Sequence, residues 1–329
     1  MPDNNSGLLV VGSVAYDSVR TQAGSRTDAL GGSATYFSLA SSHFSPVAVV
    51  AVVGEDFRKA DMDLLLTHNV DVSGIERTSG KTFRWAGVYD TEDVNARETL
   101  DTQLNVFADF SPELTPRQRE ADYLFLANIH PALQLDVLEQ METRPKLVAL
   151  DSMNFWIDGN KADLTRVVAR VDILIIDENE VRQFAGEANL VAAARAVLRF
   201  GPRAVVIKRG EHGVLMYLSE SDGAESVFAC PALPLDHVVD PTGAGDSFAG
   251  GFMGYLSASG VTADALPAQT LRRAVALGTV MGSITVQGFS MEALTGASKV
   301  DIQDRFDEFH TLTKLSETGE GNDLPWIIA

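Results

Sequence analysis

Cysteine is almost absent: Cys230 is the only one in 329 residues. A disulfide framework is excluded, and the thiol is expected as a small buried residue in a reducing, cytoplasmic setting. No run of 18 apolar residues occurs, so no membrane-spanning helix is expected. The opening stretch, MPDNNSGLLVVGSVAYD, has no basic segment ahead of its short apolar run and does not read as a signal peptide. Lysine is scarce, with 7 Lys against 19 Arg, and 45 acidic residues leave a formal net charge of −19. Nucleic-acid binding through phosphates needs a basic stripe, and none exists. An acidic, lysine-poor surface suits solubility in high salt as well as an ordinary cytoplasm. The six histidines show no pair at metal-ligand spacing, so no zinc site is expected. No G-x-S-x-G elbow for a serine hydrolase is present. SGKT at 79–82 fails as a P-loop, because five residues rather than four separate Gly74 from Gly80 and a strand-like FRWAGVY follows.

What is present is apolar and ordered along the chain. Hydrophobic residues make up 45%, enough for one large core or a core with a small appendage. The runs at 8–14, 47–54, 123–129, 146–151, 172–177 and 204–210 are continuously apolar. Continuous rather than alternating apolarity predicts strands buried on both faces, as in a parallel sheet. Helix-like stretches lie between them, among them ATYFSLASSHF, LQLDVLEQME and NLVAAARAVLRFG. Strand and helix alternate, which predicts an α/β sandwich with right-handed crossovers. Residues 72–108 break the rhythm: TFRWAGVYD and ETLDTQLNVF read as antiparallel strands with one exposed face. A small β-rich lid accounts for them, with a long hairpin of the main sheet as the alternative. The C-terminal SETGEGNDLPWIIA is polar and then apolar, with Trp326 expected to dock.

DPTGAGDSFAGGF at 240–252 holds the most chemistry. Pro241 fixes the chain, and Thr242 to Gly245 leave the backbone open to a ligand. A helical pattern follows, with Phe248, Phe252 and Tyr255 on one face and Gly250 and Gly254 spaced for close helix packing. The loop therefore sits at a helix N-terminus, where free N–H groups and the dipole favour an anion. Asp246 lies in that first turn. It can be a helix cap, or a carboxylate set beside a phosphate to accept a hydroxyl proton.

This stretch resembles the signature D-T-x-G-A-G-D of the PfkB (ribokinase-like) carbohydrate kinases. VVGSVAYDSV, LGGSATYFSLA, VAVVGEDF, IIDENEVRQF and VVIKRGEHGVLMY resemble further family elements in the family's order. The resemblance implies a ribokinase-like three-layer α/β/α sandwich with a small β-rich lid, drawn from about 13–32 and 72–108. It implies an ATP-dependent phosphotransferase acting on a hydroxymethyl group of a sugar or sugar derivative. A nucleoside kinase of the same family and a non-catalytic nucleotide- or sugar-binding regulator are the alternatives. Carried over, Asp246 is the general base, and Gly243, Ala244, Gly245 and Asp246 form the anion hole. Asp17, Gly31 and Gly32 hold the acceptor, with Ser33 and Tyr36 beside them. Asp177, Glu180, Lys208, Gly210, Gly213 and Gly278 belong to the nucleotide side. Glu180 acts on Mg²⁺ through water, and Asp240 and Thr242 help hold a monovalent cation such as K⁺. Some members dimerise through the lid. The family usually has Asn where Asp177 stands. Ribokinase has GGKGAN where this chain has GGSATY, which argues against ribose as acceptor. Tyr36 can stack on a ligand or fill the core. Arg84, Trp85 and Asn105 are candidate lid contacts, and Trp85 serves equally as lid packing.

Overall fold

The computed structural model describes residues 7–90, 92–220 and 223–314; Trp326 lies outside them. The chain opens with β1 (Leu8–Val11), then β2 (Ala15–Thr21) and β3 (Gly24–Gly31). Next come α1 (Ser33–Ser41), β4 (Val47–Gly54), α2 (Lys59–Thr67), β5 (Val70–Thr78), β6 (Phe83–Tyr89) and β7 (Arg97–Gln103). A regular βα region follows: β8 (Tyr123–Leu126), α3 (Pro131–Gln140), β9 (Leu147–Asp151), α4 (Asn154–Gly159), α5 (Lys161–Val168), β10 (Ile173–Asp177), α6 (Glu178–Ala185) and α7 (Leu190–Leu198). The chain continues through β11 (Ala204–Lys208), β12 (Val214–Ser219) and β13 (Glu225–Cys230). It closes with α8 (Ala244–Ala258), α9 (Ala268–Thr285), α10 (Glu292–Gly296) and α11 (Lys299–Thr313).

A nine-stranded sheet runs β13-β12-β11-β10-β9-β8-β1-β4-β5. It is parallel from β11 to β5, and β12 and β13 are added antiparallel at one edge. Each apolar run predicted as a buried strand supplies one parallel strand. β4, VAVVAVVG, is buried along its whole length, because helices cover both faces of the sheet. Alternate residues of each strand feed opposite cores. Val10, Val49, Phe125 and Ile175 join one cluster with α1, α8 and α9, while Val11, Val50, Leu124 and Leu174 join another with α3, α5, α6 and α7. The result is the three-layer sandwich expected. β13 was not anticipated. Its exposure alternates along ESVFAC, as in an edge strand with one wet face.

A second, four-stranded sheet runs β3-β2-β6-β7. Its strands span 15–31 and 83–103, narrower than the lid expected from 13–32 and 72–108. The difference has a definite cause. Residues Val70–Thr78 pair in parallel with β4 and form the edge of the large sheet, so the second segment of the small sheet starts only at Phe83.

The position of α8 is set by small residues on two sides. A side chain on Gly250 would collide with the Phe37 carbonyl and come within 2.8 Å of the Ala40 Cβ of α1. A Cβ on Gly254 would lie 3.0 Å from Ser41 of α1, and one on Gly251 would meet Met281 of α9. Phe248 and Phe252 stack one turn apart, with ring centroids 6.1 Å apart. Gly250→Ala should therefore force α1 and α8 apart and cost about 1–3 kcal/mol, the usual penalty for overpacking. A thermal or urea unfolding curve reads this, and an unchanged midpoint would show that the contact yields.

Candidate active site

The cleft lies at the C-terminal ends of the parallel strands, where an open α/β sheet leaves room for ligands. α8 enters it with Gly243 as its N-cap, in a left-handed conformation at φ 75. A side chain there would run into the Tyr36 ring, so this position admits only glycine. Tyr36 is fully buried, so its job is packing under the loop. The N-cap has no side-chain hydrogen bond. The Ala244 N–H donates to the Pro241 carbonyl at 3.2 Å and the Asp246 N–H is engaged by its own carboxylate, so the Gly245 N–H is the first-turn donor without a partner among the described residues, the kind of donor an anion needs. Asp246 stands in the same turn and does not cap the helix.

Asp246 is enclosed by protein but keeps a partly exposed surface in the cleft. Burial, then the Asp151 carboxylate, push its pKa up to about 7, against the pull of Lys208 and Arg97. A base poised near neutrality suits proton abstraction. Asp17 on β2 is buried, and its carboxylate occupies the space a side chain on Gly31 would need. It accepts a hydrogen bond from the Gly32 N–H, and burial with the charges of Asp240 and Asp246 pushes it to about 7. Gly32 caps α1 with φ 95, a second backbone position reserved for glycine. Ser33 is engaged locally: its hydroxyl accepts the Ser13 N–H at 3.2 Å, and its own N–H donates to Ser13 Oγ at 3.0 Å.

Lys208 ends β11 and reaches Asp151 at the end of β9, Nζ to Oδ2 3.2 Å. A Cβ on Gly245 would lie 3.1 Å from Lys208 Nζ, so this cation sits beside the anion-binding turn. Burial works against its charge, but Asp151, Glu180 and Asp246 outweigh that and hold it protonated above its usual range. Asp151 shares Lys208 with those two acids and remains shifted up by burial. Asp177 caps α6, accepting the Asn179 and Glu180 N–H groups at 2.7 and 2.8 Å. Glu180 closes the capping box through Oε2 and the Asp177 N–H at 3.1 Å. Burial, then the neighbouring Asp177, push Glu180 to about 8. Asp240 is buried and accepts the Thr242 N–H at 2.9 Å.

From this turn a cavity of about 510 Å³ extends outward, lined by Lys208, Gly210, Gly213, Ala244 and Gly245 and by apolar side chains such as Leu233. Gly278 is not among its walls. It faces Phe248 at the α8–α9 contact, and Gly282 and Ser283, one turn on, reach the cavity instead. The three lid candidates are structurally committed. Arg84 pairs with Asp56 at 2.8 Å and Asp28 at 3.2 Å. Asn105 donates to the Thr82 carbonyl at 3.0 Å. Trp85 donates to Thr99 at 3.2 Å and lies under Arg97, 6.0 Å away. Four residues were not anticipated: Asp151, Tyr89, Asn95 and Arg97. Asp151 had a usable signal, a carboxylate closing a buried parallel strand at the ligand edge. The other three come from the β6–β7 hairpin, whose fold over the cleft has no local signature.

Among the described residues no three His, Cys, Asp or Glu side chains are grouped to hold a metal ion, and no helix is long and apolar enough to cross a membrane.

A helix N-terminus opening onto a cavity, with an acid in its first turn and a lysine alongside, defines a site for an anionic group next to a base. Residues 6–294 match the model of the pfkB family carbohydrate kinases, and the chain belongs to that family of kinases. It is 32% identical over 256 residues to a cytidine kinase of Thermococcus kodakarensis, covering 75% of this chain and 88% of that one. Among solved structures, an aminoimidazole riboside kinase from Salmonella enterica, complexed with aminoimidazole riboside and an ATP analogue, superposes with a TM-score of 0.68 at 18% identity, covering 91% and 99% of the two chains. A ribokinase from Thermotoga maritima gives 0.68 at 20% identity, with the same coverage. These two likenesses establish the fold.

The raised acids have a consequence for stability. Ordinary carboxylates titrate near 4, while Asp17 and Asp246 do so near 7 and Glu180 near 8. Between those values the folded protein holds protons that the unfolded chain has released. Unfolding stability therefore falls as pH rises through the folded values. The unliganded protein should melt at a higher temperature at pH 6 than at pH 8 in the same salt. Glu180→Gln should raise the melting temperature at pH 8 and leave it little changed at pH 4.5. A melting temperature that climbs from pH 6 to 8 would contradict this.

Proposed function

We propose that this kinase transfers the γ-phosphoryl group of ATP to a hydroxymethyl group of a sugar derivative, with Asp246 as general base. The observation that carries the reading is the placement of Asp246 in the uncapped first turn of α8. That turn offers one carboxylate near neutrality and the unpartnered Gly245 N–H within the same few residues. The acceptor oxygen attacks the γ-phosphorus, the new O–P bond forms as the bridging bond to the β-phosphate breaks, and ADP leaves. The hydroxyl proton passes to Asp246. The amides of Gly243, Ala244, Gly245 and Asp246, with Lys208 beside them, stabilise the charge that spreads over the transferring group. Asp17, Gly31 and Gly32 hold the acceptor. Ser33 takes no direct part and braces the turn.

The nucleotide lies in the cavity bounded by Gly210 and Gly213, with apolar walls for the base. Mg²⁺, when bound, shields the phosphates. Glu180 fits the task of holding its water, because one carboxylate oxygen is used in the capping box and the other has no hydrogen-bond partner among the described residues. Asp177 supports it through the shared cap. Asp240 is buried with no cationic side chain paired to it among the described residues. This suits K⁺ held by Asp240 together with Thr242. A second copy of the chain would dock on the small sheet, at the exposed edge strand β7. The cytoplasm is the proposed setting.

Ribosides carrying a base are favoured over free sugars. The observation behind this is that relatives of this chain include a cytidine kinase and, at 25% identity over 232 residues, a nucleoside kinase of Methanothermobacter thermautotrophicus.

Two outcomes follow. Asp246→Asn should keep the fold and lower kcat by roughly 10²–10⁴, the usual range for loss of a general base. Turnover within a few-fold of the unsubstituted enzyme would remove Asp246 from the role. In a panel of nucleosides and free sugars with ATP and Mg²⁺, nucleosides should have the higher kcat/KM. Phosphorylation of free sugars alone would return the acceptor to that class.

A further inference from the structure

A second cavity, of about 380 Å³, lies between α8, α9, α11 and the connection from α1 to β4. It shares no lining residue with the cavity beside the anion-binding turn. On α8 it is reached by Tyr255, well past Asp246 and about 14 Å further along the helix axis. From α11 come Lys299, Gln303 and Phe306, whose i, i+4, i+7 spacing puts them on one helix face. Arg273 enters from α9, and His43 and Phe44 from the connection.

The charge of this lining runs against that of the chain. The sequence has 45 acidic residues against 26 basic ones, yet no Asp or Glu lines the cavity, while His43, Arg273 and Lys299 do. The acids of α11 stand off the lining face, and Asp301 is engaged at the cap, accepting from Ser298 Oγ at 2.7 Å. Neither Arg273 nor Lys299 has an ion-pair partner among the described residues. Lys299 is also the first residue of α11, where the helix dipole works against a cation and favours an anion beside it. His43 Nε2 is buried with no hydrogen-bond partner among the described residues, a state that calls for one. The ionisable groups bearing on His43 are His68 and Lys299, both basic. Phe44, Tyr255 and Phe306 supply the rest of the wall, and each is only half-buried. Aromatic rings gathered around basic groups match a flat apolar body that ends in an anion.

We propose that this cavity is a second ligand site, which takes a small aromatic anion: a flat ring system carrying one carboxylate, sulfonate or phosphate. Phe44, Tyr255 and Phe306 cover the rings, and Arg273 and Lys299 hold the anionic group through charge-assisted hydrogen bonds. The site stands apart from phosphoryl transfer, so the inference does not depend on which acceptor the kinase uses.

The test is fluorescence titration of the full-length protein with 8-anilinonaphthalene-1-sulfonate, and with N-phenyl-1-naphthylamine, which has the same rings and no sulfonate. Both titrations are run with saturating ATP and Mg²⁺, so that the cleft is filled. The sulfonate should bind at a single site, more tightly than the neutral amine. The double substitution Arg273→Glu, Lys299→Glu should raise its Kd about tenfold or more and move the Kd of the neutral amine by less than about twofold. Gln303→Trp, which lays a ring across the cavity from an exposed position, should weaken both probes. Melting curves and turnover without probe should match those of the unsubstituted protein, which separates loss of the site from loss of the fold. Displacement of the sulfonate by ATP, an unchanged Kd in both variants, or a neutral amine that binds the unsubstituted protein as tightly as the sulfonate would each overturn the proposal.

Discussion

Gly243 can carry no side chain, and much of the site follows from that. Its left-handed backbone stops the approaching loop and starts α8 against the face of Tyr36. Tyr36 in turn belongs to α1, which begins at the glycine pair beside Asp17. One contact therefore fixes two helix N-termini relative to each other, the one that carries Asp246 and the one beside Asp17. The glycine-lined packing of α8 between α1 and α9 keeps that geometry rigid, as a site that aligns two substrates requires.

The second constraint is charge. A chain with a net charge of −19 gathers Asp17, Asp151, Glu180, Asp240 and Asp246 around one cleft. Burial shifts all five towards the protonated form. Such a cluster is expensive without partners and is suited to receiving cations and a polyphosphate together. Lys208, fixed at the end of β11 and paired with Asp151, is the cation the large sheet sets among these acids.

Much of this was legible in the chain. Continuous apolarity in VAVVAVVG and its counterparts marks strands buried on both faces, because that pattern leaves no wet side. The helical spacing of Phe248, Phe252 and Tyr255 marks the helix, and the small residues before Asp246 mark a start whose backbone is left open. Tyr36 was ambiguous until its burial placed it under Gly243. What stayed hidden depends on partners distant in sequence. β5 reads as part of the insertion because its polar residues face outward from an edge, and only its pairing with β4 assigns it to the large sheet. Tyr89 ends a β6 strand with no site signature, and its place beside the turn arises from a contact with Thr242, distant in sequence. Gly278 carried a signal for close approach, and the approach is by Phe248, at the helix contact behind the cavity.

The central claim is that the α8 N-terminus holds the transferring phosphoryl group while Asp246 faces the acceptor hydroxyl. A crystal structure of the Asp246→Asn protein with ATP, Mg²⁺ and a phosphorylatable acceptor tests it most directly. The account predicts the γ-phosphate on the amides of residues 243–246 and the acceptor hydroxymethyl within hydrogen-bond reach of residue 246, beside Asp17. A triphosphate bound away from that turn, or an acceptor whose hydroxyl points away from residue 246, would contradict it.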